Sequence, residues 1–88
     1  MDIFTVYILF SCSHNKTYVG FTNNIERRIW EHNNSTQSSF TSRFQPWEVI
    51  YTEEFSIKEA AMAREKWFKS GVGRKLKGEV LDQFLKNK

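Results

Sequence analysis

The sequence predicts a small α/β domain of the α+β type: a three-stranded antiparallel or mixed sheet flanked by helices, in the order ββαβαα. Three observations carry that expectation. Two runs with apolar residues at period two, Ile3 to Phe10 and Thr17 to Phe21, stand either side of a short polar segment. A third such run follows Pro46. After the second and third runs, apolar residues recur three and four positions apart behind helix-start signals. With 88 residues, the chain is expected to form one domain, 1–88.

In the first run Phe4, Val6, Ile8 and Phe10 share one face and Thr5, Tyr7 and Leu9 the other. Both sets are apolar enough to predict a strand covered on both sides. The polar Ser11 to Lys16 segment turns the chain, and the second run returns with Tyr18 and Gly20 opposed to Val19 and Phe21, so the two strands form a hairpin. An even number of loop residues puts Tyr7 and Tyr18 on one face, and an odd number without a bulge separates them. Asn23 and Glu26 resemble a capping box that opens a first helix over Asn24 to about Asn33. Its buried stripe is Ile25 and Ile29, Arg28 and His32 lie at the stripe's edge, and Arg27 pairs with Glu31 four positions on.

Residues Asn33 to Ser39 lack periodicity and form a loop. In the third strand, Trp47, Val49 and Tyr51 alternate with Glu48, Ile50 and Thr52. Ser56 and Glu59 spell a capping box with Phe55 and Ala60 as its hydrophobic staple, starting a second helix at Ile57 that buries Ile57, Ala60, Ala61, Arg64 and Phe68. Gly71 and Gly73 read as its C-terminal cap. A basic last helix, Arg74 to about Leu85, buries Leu76, Val80, Leu81 and Phe84.

Composition removes several function classes. Only Asp2 and Asp82 are aspartates, so neither a multi-aspartate two-metal site nor a Ser-His-Asp triad can be assembled. One cysteine, Cys12, and two histidines are too few for a four-ligand zinc site, and the chain reads as cytoplasmic. No apolar run approaches the roughly 20 residues of a membrane span. Charge is lopsided: net −2 from Met1 to Ala63 and +5 from Arg64 to Lys88. A basic tail suits a polyanion, although on charge alone a solvated helix face is the commoner reading. Trp30, Trp47 and Trp67 could stack on bases, with core packing the commoner use of such residues.

The segment ThrValTyrIleLeu followed by TyrValGly, with Tyr7 and Tyr18 eleven positions apart, resembles the paired signature of the GIY-YIG nuclease superfamily. Thr5 stands where the first motif has Gly, and Val6 where it has Ile. Arg28 and His32 fall eight and twelve positions beyond Gly20, as in that family, and the ArgGluLys at 64–66 matches the helix that carries its metal-holding glutamate. The resemblance runs from about Phe4 to Phe68 and implies a divalent-metal-dependent endonuclease acting on DNA, RNA not excluded, with one Mg²⁺ or Mn²⁺ ion. It implies catalytic roles for Tyr7, Tyr18, Arg28, His32 and Glu65: Tyr7 activates water once its phenol pKa is lowered by Arg28 or the metal, Tyr18 and His32 position or share the proton, Arg28 stabilises the transition state, and Glu65 holds the metal. Arg27, Arg43, Lys69, Arg74, Lys75 and Lys77 would contact the nucleic-acid backbone, and the expected form is a monomer. The alternative is a nucleic-acid-binding module on the same scaffold with weak or lost catalysis.

Overall fold

The computed structural model describes residues 2–34 and 40–87. The elements, in chain order, are β1 (Phe4–Ser11), β2 (Lys16–Thr22), α1 (Ile25–Asn34), α2 (Phe40–Arg43), β3 (Glu48–Phe55), α3 (Lys58–Phe68) and α4 (Gly71–Lys86). The sheet has the order β2-β1-β3, and β1 pairs antiparallel with both neighbours. The central place of β1 explains its sequence: a strand flanked by strands and covered by helices on both faces has no solvent side, so Thr5 to Ser11 are all buried.

The two faces carry separate cores. On one, Val6, Ile8 and Val19 pack with Ala61 and Phe68 of α3, and with Leu76 and Val80 of α4 at the margin. On the other, Tyr7, Leu9 and Trp47 pack with Tyr18, Ile25, Phe44 and Val49. The second face is therefore covered by α1, α2 and the segment leading into β3. The hairpin loop holds four residues, Cys12 to Asn15, and the even number pairs Tyr7 with Gly20 and Leu9 with Tyr18. Asn15 closes the loop at φ 52°, a left-handed conformation asparagine tolerates. Tyr7 and Tyr18 share a face, as even parity requires.

Several local expectations are corrected. The cap of α1 is Asn24: its Oδ1 accepts from the Arg27 N–H at 3.1 Å, and Thr22 Oγ1 accepts from the Asn24 N–H, so the asparagine one residue later wins. Asn33 and Asn34 extend α1, held by Asn34 Nδ2 donating to the Trp30 carbonyl and by Asn33 bonding both the N–H and the carbonyl of Trp47. Positions 35–39 of the expected loop lie outside the described residues, and α2 follows them as an additional short helix.

In β3 the register against β1 shifts between Ile8 and Leu9: Tyr51 pairs with Ile8 and Val49 with Leu9, leaving Ile50 unpaired as a bulge. Ile50 and Tyr51 therefore both join the α3 core, and Tyr51 leaves the face of Trp47 and Val49 on which strict alternation places it. The capping box at Ser56 does not form. Ile57 occupies the N-cap with no side-chain bond and is exposed, and α3 is instead anchored farther along, where Arg64 grips Glu53 with Nε at 2.7 Å and Nη2 at 2.9 Å. Its guanidinium also lies over the Trp67 and Phe68 rings.

The glycines at 71–73 begin a helix and do not end one. Ser70 caps α4, its Oγ accepting from the Gly73 N–H, so the basic helix starts at Gly71 and not at Arg74. Gly73 is where α4 meets the end of α3: a Cβ there would fall 1.9 Å from the Trp67 carbonyl oxygen. Gly78, five residues along the same helix, faces open space. We expect Gly73→Ala to cost about 1–3 kcal/mol or more through overpacking, and Gly78→Ala to stabilise by roughly 0.5–1 kcal/mol through helix propensity. Urea denaturation of the two variants checks this, and equal effects of one sign would contradict the packing described.

Candidate active site

Tyr7 sits at the middle of the central strand with 1% of its surface exposed. Its position opposite Gly20 is what admits its hydroxyl: a Cβ on Gly20 would lie 2.6 Å from Tyr7 Oη and 3.1 Å from Tyr18 Cε2. A phenol buried this deeply needs a hydrogen-bond partner, and α1 supplies one. His32, 3% exposed and the buried residue of that helix, places Nε2 2.9 Å from Tyr7 Oη. The Tyr18 ring meets the His32 ring edge-on at 5.1 Å, and the Tyr7 and Tyr18 centroids are 6.4 Å apart. The carbonyl of His32 accepts from Gln45 Nε2 at 2.9 Å, fixing the end of the helix that carries the imidazole.

Arg28, one turn before His32, reaches the same phenol and stabilises its ionised form. Its Nη1 donates to Glu31 Oε1 at 3.0 Å, so Glu31 pairs with Arg28 at i,i+3 and not with Arg27. Partial burial opposes the charge on Arg28, yet Glu31 and Tyr7 together hold its pKa above the ordinary value. Glu65 approaches from α3, the helix on the other face of the sheet. Its side chain is 20% exposed and loosely paired with Lys69 at 3.6 Å, and its negative charge is felt at Tyr7 as the smallest of that phenol's influences. The five residues thus converge unequally: Tyr7, Tyr18, Arg28 and His32 are one cluster, and Glu65 acts on it from the neighbouring layer.

Burial dominates the protonation of this cluster. The Tyr7 phenol is pushed up to about 12, first by burial and next by Tyr18, with Arg28 pulling only part of the way back. Arg28 lowers that pKa as expected, but burial outweighs it and leaves the phenol above its ordinary value. His32 is lowered to about 4, by burial first and by the Arg28 charge second. At neutral pH the pair is a neutral phenol against a neutral imidazole.

The basic residues are dispersed. Arg27, Arg43, Arg74 and Lys75 are exposed on α1, α2 and α4, with Arg43 lying over the Phe44 ring. Lys69 and Lys77 instead come together beside Tyr18 and Phe40. Sequence reasoning passed over Gly20 as a spacer for Tyr7, although it is the one glycine before position 71 and lies in a strand. It also passed over Phe40, whose aromatic spacing to Phe44 was there to be seen. Among the described residues no three His, Cys, Asp or Glu side chains gather, and no helix is long and apolar enough to cross a membrane.

Residues 3–77 match the GIY-YIG catalytic domain. The chain belongs to the GIY-YIG family. GIY-YIG domains are typically nucleases, and the family implies nucleic-acid binding. A UPF0213 protein of Natronomonas pharaonis is 40% identical over 78 residues, covering 89% of this chain and 91% of the relative. A UPF0213 protein of Limosilactobacillus reuteri is 35% identical over 88% of this chain and 81% of its own. The solution NMR structure of a UPF0213 protein from Bacillus halodurans superposes with a TM-score of 0.53 at 27% identity, covering 89% of this chain and 84% of that one. In this GIY-YIG chain the first tripeptide survives as its tyrosine alone, and the geometry explains which parts matter: the tyrosine of the first motif meets the glycine of the second across the strand pair.

Burying His32 neutral ties stability to pH. The unfolded chain protonates the imidazole near 6.5 and the folded one near 4. As pH falls from 6.5 to 4 the unfolded state binds the extra proton, and up to about 3 kcal/mol of stability drains away. Denaturation midpoints measured across that window should fall less steeply for His32→Gln, which does not titrate, than for the parent. Identical slopes would show that His32 is not held neutral.

Proposed function

We propose that this GIY-YIG domain is a divalent-cation-dependent endonuclease that hydrolyses phosphodiester bonds in DNA. The observation that supports this reading most is the bond between the buried Tyr7 hydroxyl and His32 Nε2, with the permanently charged Arg28 beside it. A buried hydroxyl needs one partner for satisfaction alone, which His32 supplies, and the charged Arg28 beside it goes beyond that need.

The roles follow from protonation. With His32 in the tautomer that leaves Nε2 free to accept, the Tyr7 O–H donates to it, and the phenolic oxygen keeps lone pairs for a water molecule. As that water attacks phosphorus, its proton passes to the Tyr7 oxygen while the phenol's own proton passes to His32. A phenol pKa near 12 forbids free phenolate at neutral pH, so the two transfers occur together. Arg28 keeps N–H groups beyond the one bound to Glu31 for the phosphoryl oxygens, where charge accumulates in the transition state. That accumulating negative charge also stabilises the imidazolium forming beside Arg28. Tyr18 holds the imidazole plane through its edge-on contact.

Glu65 fits a hard cation: it is a partly exposed carboxylate with only a long pairing to Lys69, and among the described residues it belongs to no cluster of three His, Cys, Asp or Glu side chains. One Mg²⁺ or Mn²⁺ on Glu65 would neutralise phosphate charge and lower the pKa of attacking water. The exposed Arg27, Arg43, Arg74 and Lys75, with Lys69 and Lys77, would supply sequence-independent affinity for the backbone. The alternative, a binding module without hydrolysis, draws on one observation, the upward shift of the phenol that is asked to act as base.

Cleavage of labelled single, double and branched strands, with and without Mg²⁺ or Mn²⁺, separates the two readings. Glu65→Gln should abolish cleavage while retaining binding and fold. Arg28→Ala should slow it roughly a hundredfold or more, on the scale of removing one oxyanion donor. Tyr7→Phe should lose more than Tyr18→Phe. Parental rates in Arg28→Ala or Tyr7→Phe would defeat the mechanism, and metal-independent binding without cleavage under any of these conditions would favour the module.

A further inference from the structure

Beside the tyrosine cluster lies a cleft of about 280 Å³, bounded by Thr17, Tyr18 and Val19 of β2, by Phe40, and by Lys69 and Lys77. We propose that this cleft holds one nucleotide of the substrate strand next to the scissile phosphate, its phosphate between Lys69 and Lys77 and its base against the exposed ring of Phe40. The proposal rests on the nuclease reading and adds to it a binding subsite with its own residues.

Four features support it. The cleft shares Tyr18 with the catalytic cluster, and its Lys69 is the partner of Glu65, so a nucleotide there is adjacent to the reacting phosphate. Its cationic wall lacks compensation: among the described residues Lys77 has no ion-pair partner, and Lys69 has only the 3.6 Å contact. Lys77 is partly buried against these neighbours, and its pKa is lowered by burial first and then by Arg74 and Lys69. A partly buried lysine close to other cations is relieved by an anion, and phosphate is the anion a nuclease brings.

The aromatic wall meets the other requirement. Phe40 keeps 40% of its surface exposed although its ring packs on Tyr18 at 6.3 Å and 26°, on Phe44 at 4.9 Å and on Trp47 at 6.0 Å. A ring braced by three others offers a stacking surface with little freedom left to lose. Apolar and cationic walls facing one cavity of this size match a base and a phosphate joined by a sugar, whereas free phosphate would leave the Phe40 side unused.

The test is binding in EDTA, so that it does not depend on turnover. A fluorescent oligothymidylate and a backbone of equal length with abasic sugars are titrated against the full chain and against Phe40→Ala, Phe40→Trp, Lys77→Gln and Lys75→Gln. Phe40→Ala should weaken the base-bearing strand by about five- to a hundredfold and leave the abasic strand unchanged, and Phe40→Trp should restore the loss. Lys77→Gln should weaken both strands more than Lys75→Gln, whose side chain points to solvent elsewhere on α4. The subsite is refuted by equal effects of Phe40→Ala on both strands, by no effect on either, or by indistinguishable lysine variants. Cleavage by a protein that fails these tests leaves the nuclease reading standing without the subsite. Passing them without any metal-dependent cleavage leaves a nucleotide cleft on a protein that is no nuclease.

Discussion

A phenol buried in the centre of a sheet is the constraint around which this domain is arranged. Tyr7 cannot be solvated where it lies, so its hydroxyl has to be met by protein, and the meeting requires three things at once. The neighbouring strand has to leave a gap, which Gly20 provides. The hairpin has to keep even parity, which four loop residues provide. A helix has to deliver a hydrogen-bonding side chain at the right height, and α1 brings His32, fixed at its C-terminal end by Gln45 and Asn33. Lose any one and the hydroxyl is stranded.

This explains why so much of the site was legible. Helical spacing is a short-range property and put Arg28 and His32 on one side of a helix, whereas parity left the faces of Tyr7 and Tyr18 open until the four-residue loop settled them. It was the GIY-YIG resemblance that singled these residues out. What escaped depends on tertiary context. Ser56 and Glu59 have the residues of a capping box, yet β3 runs on to Phe55 and Arg64 seizes Glu53, so the start of α3 is set by that grip and not by its local cap. The bulge at Ile50 has no marker residue, since a bulge is a mismatch between two strands and neither sequence alone records it. The same holds for Gly73, whose meaning is the approach of Trp67 from another helix.

Electrostatics was the least legible part, because it is decided by burial depth. From the residue list, an arginine next to a tyrosine lowers the phenol's pKa. In the fold, desolvation of Tyr7 outweighs Arg28 and carries the phenol the other way, while the same desolvation drives His32 down. The two shifts are one effect seen from an acid and a base: an apolar layer between sheet and helix favours whichever form is uncharged.

If the proposed hydrolysis is correct, the consequence for chemistry is a site that would act only on a bound phosphate. With phenol and imidazole both neutral, Arg28 is the cluster's principal charge, and Glu31 holds one of its N–H groups. A phosphate bound there would change the balance, because each increment of negative charge on it would make imidazolium formation at His32 less costly while drawing on Arg28. In the proposed nuclease reading, proton transfer from water through Tyr7 to His32 would thereby be coupled to the charge that develops at phosphorus. A phenol already lowered toward neutrality would instead carry a standing negative charge in a buried layer and repel the substrate it is meant to serve. The burial that looks unfavourable for a general base would thus make the proposed action of Tyr7 depend on substrate.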